Sequence, residues 1–152
     1  MSIKNIKQKL HKYLVDSLNN KAEILQKDIA ETIEARNNDT KSSAGDKFET
    51  GREMMNVEIQ KAENQLVITN KFIEELSQID LLKNNDRVVY GSVVYTSNGN
   101  YFISIAFGKI EIEGDVFYSI SFASPIGKEL HNKRVGEKFS FQGKENLIKE
   151  IM

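Results

Sequence analysis

The sequence predicts an α+β protein, in which an N-terminal antiparallel α-helical coiled-coil hairpin is followed by a small sheet domain with one short helix. Three observations predict this fold class. Apolar residues in roughly the first half recur at alternating steps of three and four, as in coiled-coil helices. Glycine occurs there only at Gly45 and Gly51. Beyond about residue 80, glycine recurs among runs of Val, Ile, Tyr and Phe, which are typical of strands.

Each of the two predicted helices carries one narrow apolar seam, with Lys, Glu, Gln and Asn between the apolar positions. Seams of this width favour a two-helix coiled coil over a globular bundle. The first seam comprises Ile3, Ile6, Leu10, Leu14, Leu18, Ala22, Leu25, Ile29 and Ile33, and the second comprises Met55, Ile59, Ala62, Leu66, Ile73 and Leu76, with Thr69 in a core position.

A polar stretch, residues 37–45, separates the two seams and predicts a turn, because its short polar side chains compete with helical backbone bonding. An antiparallel hairpin centred on Ser42 would place Leu25 opposite Ile59 and Ala22 opposite Ala62. The predicted hairpin therefore covers residues 1–80, with its tip at about 37–46. At ~1.5 Å per residue, its arms would be about 50 Å long.

The second half predicts a sheet domain over residues 87–152. The expected strands are 87–95, 100–107, 116–122 and 137–142, with a last one at 147–151, and a tight turn at 97–99 joins the first two. A short helix should begin after Ser124, which can cap it, with Pro125 at the first helical position and Leu130 near the end.

Composition excludes several classes of function. The formal charge of −1 argues against wholesale duplex binding, and the absence of cysteine excludes thiol catalysis and cysteine-ligated zinc. No stretch approaches the ~20 apolar residues that span a bilayer, so we expect a cytoplasmic protein with no membrane partner. The sequence shows no nucleophile with its base, no phosphate loop and no cluster of metal ligands, so a free-standing enzyme is not expected.

The segment Ser124-Pro125-Ile126-Gly127-Lys128-Glu129-Leu130, followed by residues 133–138, carries a family likeness. Together with the predicted hairpin, it resembles the bacterial Gre transcript cleavage and elongation factors, whose signature is Ser-Pro-Ile-Gly, a short helix and then Gly-Lys-x-x-Gly-Asp. Asn132 stands where that second element has its first glycine, and Glu137 stands where it has aspartate. Residues 88–94 are similar to the strand that opens the same domain.

The resemblance implies a C-terminal domain shaped like an FKBP-type prolyl isomerase, used for docking and without isomerase activity. It implies that this domain binds core RNA polymerase at the rim of the secondary channel and that the hairpin enters the channel. The protein would then act as a monomer and meet nucleic acid, including DNA, only within the polymerase complex. The predicted docking residues are Ser124, Pro125, Ile126, Gly127, Lys128, Glu129, Lys133 and Arg134.

The tip departs from the family pattern. In the family, an aspartate and a glutamate at the tip help to hold a second Mg²⁺ in the polymerase active site, and no cofactor is bound stably by the factor itself. The aspartate falls on Asp39, but the glutamate falls on Ser42, whose hydroxyl is a poor magnesium ligand. Asp46 and Glu49 have the same spacing and could replace the missing ligand. We therefore take all three acids as candidate catalytic residues, with Asp39 and Asp46 as candidate magnesium ligands.

Each tip acid also has a structural alternative. Asp46 fits a variant capping box with Ser43, and acids are favoured at a helix N-terminus. Asp39 suits the end of the first helix equally well. Lys41, Ser42 and Ser43 are candidate contacts to nucleic acid, nucleotide or polymerase carboxylates inside the channel, and the alternative is a solvated turn.

Three functions stay open on the sequence. The first is a channel-binding factor that modulates elongation and stimulates the polymerase to cleave backtracked RNA. The second is a channel-binding regulator of initiation and elongation that does not support cleavage. The third is a protein-binding, chaperone-like module whose hairpin grips partners.

Overall fold

A computed structural model describes residues 3–38 and 45–152, without the side chains of residues 3–5 and 45–48. Within this part of the chain, two long helices are followed by six strands and one short helix, so the predicted α+β class is confirmed. In chain order the elements are α1 Ile3–Asn38, α2 Gly45–Ser77, β1 Val93–Thr96, β2 Gly99–Ile103, β3 Gly108–Ile112, β4 Asp115–Ile120, α3 Pro125–Leu130, β5 Lys138–Phe141 and β6 Lys144–Ile151.

The predicted seams contain the buried apolar positions of the two long helices, and Lys7 of α1 is buried outside them. In α1 the buried apolar residues follow the three-four spacing, and in α2 Thr69 is buried at the core position assigned to it. Its hydroxyl donates to the carbonyl oxygen of Gln65 at 2.8 Å, so the polar group is satisfied within the helix. The buried seam residues are Ile6, Leu10, Leu14, Leu18, Ala22 and Leu25 in α1, and Ile59, Thr69 and Leu76 in α2.

Contacts between the helices support the predicted antiparallel register. Leu25, Ile29, Ile59 and Ala62 line one groove between the arms, as expected for facing pairs centred near Ser42. Farther toward the end of α1, the Arg36 guanidinium crosses to α2 and donates to the side-chain oxygen of Asn56 at 2.9 Å.

The chain divides into two compact units, one comprising Met1–Val15 with Glu75–Met152 and the other comprising Asp16–Glu74. The base of the hairpin therefore belongs to the same unit as the sheet. Within that unit, Nε2–H of His11 donates to the carbonyl oxygen of Leu76 at 2.8 Å, and the Tyr90 hydroxyl donates to that of Glu75 at 2.8 Å. These carbonyls lie in the last turn of α2, where each also accepts a backbone N–H three residues on, from Gln78 to Glu75 and from Ile79 to Leu76, both at 3.2 Å.

The six strands form one mixed sheet in the order β3-β4-β2-β1-β6-β5. β2 and β4 pair in parallel, and the other neighbours pair antiparallel. The predicted turn between the first two strands is confirmed, because Thr96 pairs with Gly99 across Ser97 and Asn98.

Several strand predictions were wrong in extent. The expected first strand, 87–95, begins only at Val93, because the chain turns at Tyr90 and Gly91. β3 was missed altogether. It pairs with β4 through a loop of Glu113 and Gly114, both of which have positive φ, 52° and 87°. A turn of this kind normally carries Asn or Asp before the glycine, so Glu113 gave a weak sequence signal.

The short helix α3 packs its buried face on the sheet. Ser124 caps it as predicted, and Pro125 occupies the first turn. Ile126 and Leu130 of α3 join a core whose other buried members are Val88, Val94, Ile103, Phe139, Ile148 and Ile151.

Among the described residues, no helix combines the length and the apolar character needed to span a bilayer.

Candidate functional site

The candidate site of the sheet unit is the segment around α3. The Ser124 hydroxyl oxygen accepts the Gly127 N–H at 3.0 Å, and its O–H donates to the Ser121 carbonyl at 2.7 Å. A Cβ atom on Gly127 would lie 2.1 Å from that carbonyl oxygen and 3.0 Å from Cα of Phe122. Only glycine fits where the helix crosses this backbone so closely. The local fold therefore accounts for both Ser124 and Gly127.

The turn after α3 accounts for Asn132, which stands where the Gre signature has a glycine. Asn132 has a φ of 64° and Gly136 has a φ of 90°, so both lie in the left-handed region. Asparagine adopts that region more readily than other side-chain-bearing residues. The Asn132 N–H donates to the Val88 carbonyl at 3.0 Å, which ties the turn to the chain before β1. Asn132 thus preserves the backbone geometry that a glycine would allow.

Burial separates the predicted docking residues into two groups. Pro125, Lys128, Glu129 and Arg134 are exposed, and Ser124 and Lys133 are partly exposed. Ile126 and Gly127 are buried in the core, so they can support docking only by building the helix that presents the others. Direct docking by the exposed group stays a prediction.

Sequence reasoning missed two residues at this surface, Asp86 and Arg87. Arg87 forms an isolated antiparallel bridge with Arg134, and the Val88 N–H donates to the Lys133 carbonyl at 2.9 Å. The Asp86 carboxylate lies 3.7 Å from Nε of Arg87 and 4.0 Å from Nη1 of Arg134. In the sequence these two residues are only an Asp-Arg dipeptide at the point where the predicted sheet domain begins.

The tip candidates fall largely beyond what the structure describes. Asp39, Lys41, Ser42 and Ser43 lie outside the described residues, as does the side chain of Asp46. Glu49 is exposed in α2. Within the described ranges, no group of three or more His, Asp and Glu residues could hold a metal ion. The roles assigned to the tip acids and to Mg²⁺ therefore stay predictions.

Two titratable side chains near the hairpin base have shifted pKa values. Burial lowers the pKa of Lys7, with Lys83 acting in the same direction and Asp80 opposing it. Its ammonium group donates to the Lys83 carbonyl at 2.9 Å, in the segment that joins α2 to the sheet. Burial and the nearby Glu75 raise the pKa of Tyr90 to about 12, so its hydroxyl keeps its donated hydrogen bond at neutral pH.

Comparisons with known proteins add one likeness. No protein-family profile matches the chain, and no curated protein matches it. A solved structure of "the transcription factor Gfh1" is similar at 22% sequence identity, covering 93% of this chain and 92% of that one. Its TM-score is 0.33.

Proposed function

We propose that this chain is an RNA polymerase-binding transcription factor of the Gre type. It docks through the exposed residues around α3, and the tip of its hairpin enters the secondary channel. The observation that carries this proposal is the construction of the Ser124–Gly127 segment. Its cap and its close backbone crossing account for the motif that resembles the Gre signature, and Lys128, Glu129 and Arg134 remain exposed beside it.

The two long helices supply the second part of the proposal. α1 and α2 have 36 and 33 residues, so each arm is long enough to reach a remote site if the hairpin enters a channel. Their buried positions form a seam between the arms, which leaves the outer faces polar over most of their length. A hairpin that enters a channel in this way acts through the contacts that its tip makes.

Binding to polymerase can be tested directly. The chain should migrate with its own core RNA polymerase on gel filtration as a one-to-one complex at micromolar concentration. The single variant Gly127→Ala, which distorts the α3 segment, should reduce that co-migration, whereas Gly114→Asn in a remote exposed turn should not. Failure of the wild-type chain to co-migrate would contradict the proposed function.

At the tip, the proposal favours modulation without cleavage. A second Mg²⁺ needs carboxylate ligands, and Ser42 stands where the family has one of them. Stalled elongation complexes with radiolabelled RNA should therefore show little acceleration of cleavage by the wild-type chain. Ser42→Glu should increase cleavage, because it restores the missing carboxylate.

The same assay tests the alternative, in which the chain stimulates the polymerase to cleave backtracked RNA. If the wild-type chain accelerates cleavage, and Asp39→Ala or Asp46→Ala abolishes that effect, the tip acids act as the resemblance implies. Glu49→Ala then tests whether the second acidic pair contributes. Retained polymerase binding by each variant is the control.

A second candidate function, a protein-binding module, has one observation in its favour. Met54 and Val57 lie on α2 with 68% of their surface exposed, and Val67 and Ile68 are exposed farther along the same helix. If the hairpin grips unfolded partners, the chain should suppress aggregation of a heated test protein, and Met54→Gln with Val57→Gln should weaken that effect. A chain that binds polymerase and leaves aggregation unchanged excludes this function.

A further inference from the structure

Two arginines face each other across a pair of extended segments in the sheet unit. Arg87 and Arg134 are direct partners in an antiparallel bridge. Residues opposite each other in such a bridge have their side chains on one face, about 5 Å apart, and like charges there are destabilising. Proteins typically keep such an unfavourable pair of like charges where a function requires it.

Among the described residues, Asp86 is the carboxylate that forms ion pairs with both guanidinium groups. Its two oxygens divide between the arginines, 3.7 Å from Arg87 and 4.0 Å from Arg134, which is longer than a charge-assisted hydrogen bond. All three side chains are well exposed, at 44% for Arg87, 55% for Arg134 and 76% for Asp86. Loose exposed pairs of this type exchange readily with another carboxylate.

We infer that Arg87 and Arg134 form a carboxylate-binding pair for an acidic segment of the polymerase, and that Asp86 occupies the pair until the segment arrives. The inference rests on the proposed function and specifies the chemistry of its docking surface. Arginine suits this role because its planar donors match the geometry of a carboxylate. In the free protein, the Asp86 carboxylate occupies the position that a carboxylate of the polymerase takes in the complex.

The surroundings favour a protein over a nucleic acid as the occupant. Val135, next to Arg134, is 55% exposed and offers an apolar contact. Glu129 and Glu137 are exposed close by in sequence, and the chain as a whole has a formal charge of −1. The acidic members of this mixed set of charges would repel successive phosphates of a nucleic-acid backbone, whereas the set accommodates one acidic side chain beside an apolar one.

The test uses fluorescently labelled full-length chain titrated with core RNA polymerase. Arg87→Gln and Arg134→Gln should each weaken binding about fivefold, and Arg134→Lys should weaken it less, because it keeps the charge and loses the planar fork. Asp86→Asn should tighten binding by about twofold, since it removes the internal competitor. Added salt should reduce the differences in polymerase affinity between wild type and these variants.

Lys138→Gln is the matched control. Lys138 is an exposed cation on β5, paired with Glu145 at 3.7 Å, and its loss should leave affinity unchanged. Unchanged melting temperatures will show that each variant folds. If wild type binds polymerase and the arginine variants bind equally well, the inference is wrong and the proposed function stands.

A peptide titration keeps the inference testable if polymerase binding itself fails. An acetylated Asp-Leu-Glu-Glu-Leu-Asp peptide should shift the arginine side-chain N–H resonances saturably in NMR spectra, and Arg134→Gln should abolish the shift. Absence of any shift overturns the inference. A single-stranded RNA oligomer that produces the same shifts at lower concentration would also overturn it, in favour of a nucleic-acid occupant.

Discussion

Gly127 and Asn132 illustrate how much of the α3 surface is explained by backbone geometry at single residues. A side chain at position 127 would collide with the Ser121 carbonyl, and position 132 requires a positive φ. The sequence identified both residues as parts of a motif, yet it could not separate a structural reason from a functional one. The separation needed the position of the Ser121 and Phe122 backbone, which the residue types alone do not give.

Gly127→Ala is expected to destabilise the protein by about 2 kcal/mol or more, because the added methyl must displace backbone. Urea denaturation followed by circular dichroism measures the loss. Gly136→Asn is the control, since nothing lies near its missing Cβ and its cost is limited to the backbone strain of a side chain at a φ of 90°, about 1 kcal/mol. Equal stability of the two variants would refute the steric account.

Asn132 provides a test of backbone conformation. Asn132→Val should cost about 1–2 kcal/mol, since a branched residue resists a φ of 64°. Asn132→Gly, which restores the glycine of the family pattern, should change stability by less than about 1 kcal/mol. Thermal melts of the two variants beside wild type make the comparison, and a valine variant as stable as the glycine variant would contradict it.

Lys7 predicts a dependence of stability on pH. Because burial lowers its pKa in the folded state below the ordinary 10.5, the unfolded chain binds more protons between the folded pKa and 10.5. Stability relative to Lys7→Met should therefore rise with pH on approaching 10.5. Urea denaturation of both proteins at pH 8 and pH 10 tests the sign. If the free energy of unfolding of wild type, relative to that of Lys7→Met, stays constant or falls from pH 8 to pH 10, the pKa of Lys7 is not lowered in the folded state.

The two long helices were predictable because each carries one periodic seam, and a seam needs no knowledge of distant contacts. Strands depend on partners elsewhere in the chain, so their bounds were less predictable. β3 was missed because Glu113 is a weak turn signal, and the predicted strand over residues 87–92 is absent because Gly91 turns there with a φ of 92°. The pairing of Arg87 with Arg134 joins segments 47 residues apart, which no local pattern reveals.

Neighbouring positions of α1 test whether the hairpin is held by one seam. Leu25 is 8% exposed and Ile24 is 52% exposed. Leu25→Ala should cost about 2 kcal/mol, at the low end for a buried leucine because two helices enclose little space. Ile24→Ala should change stability by about 0.5 kcal/mol or less. Thermal unfolding at 222 nm measures both, and similar losses would indicate a second packed face.

At the scale of the whole molecule, the base of the hairpin belongs to the sheet unit, and the rest of the hairpin forms a unit of its own. His11 joins α1 to the last turn of α2, and Tyr90 joins that same turn to the segment just before β1. The predicted boundary between residues 80 and 87 rests on a change in composition, which carries no information about these contacts. The proposed function needs the two units to act together, one docking and the other reaching.

The position of the tip inside polymerase tests this account most directly. The chain has no cysteine, so Ser42→Cys gives a unique thiol for an iron chelate that cleaves nearby protein and nucleic acid. Ala106→Cys, exposed in the sheet unit, is the control. In complexes with core polymerase, the chelate at position 42 should cut around the catalytic centre, and that at position 106 should cut only outer surfaces. Cuts from position 42 confined to the exterior, or absent altogether, would contradict the account.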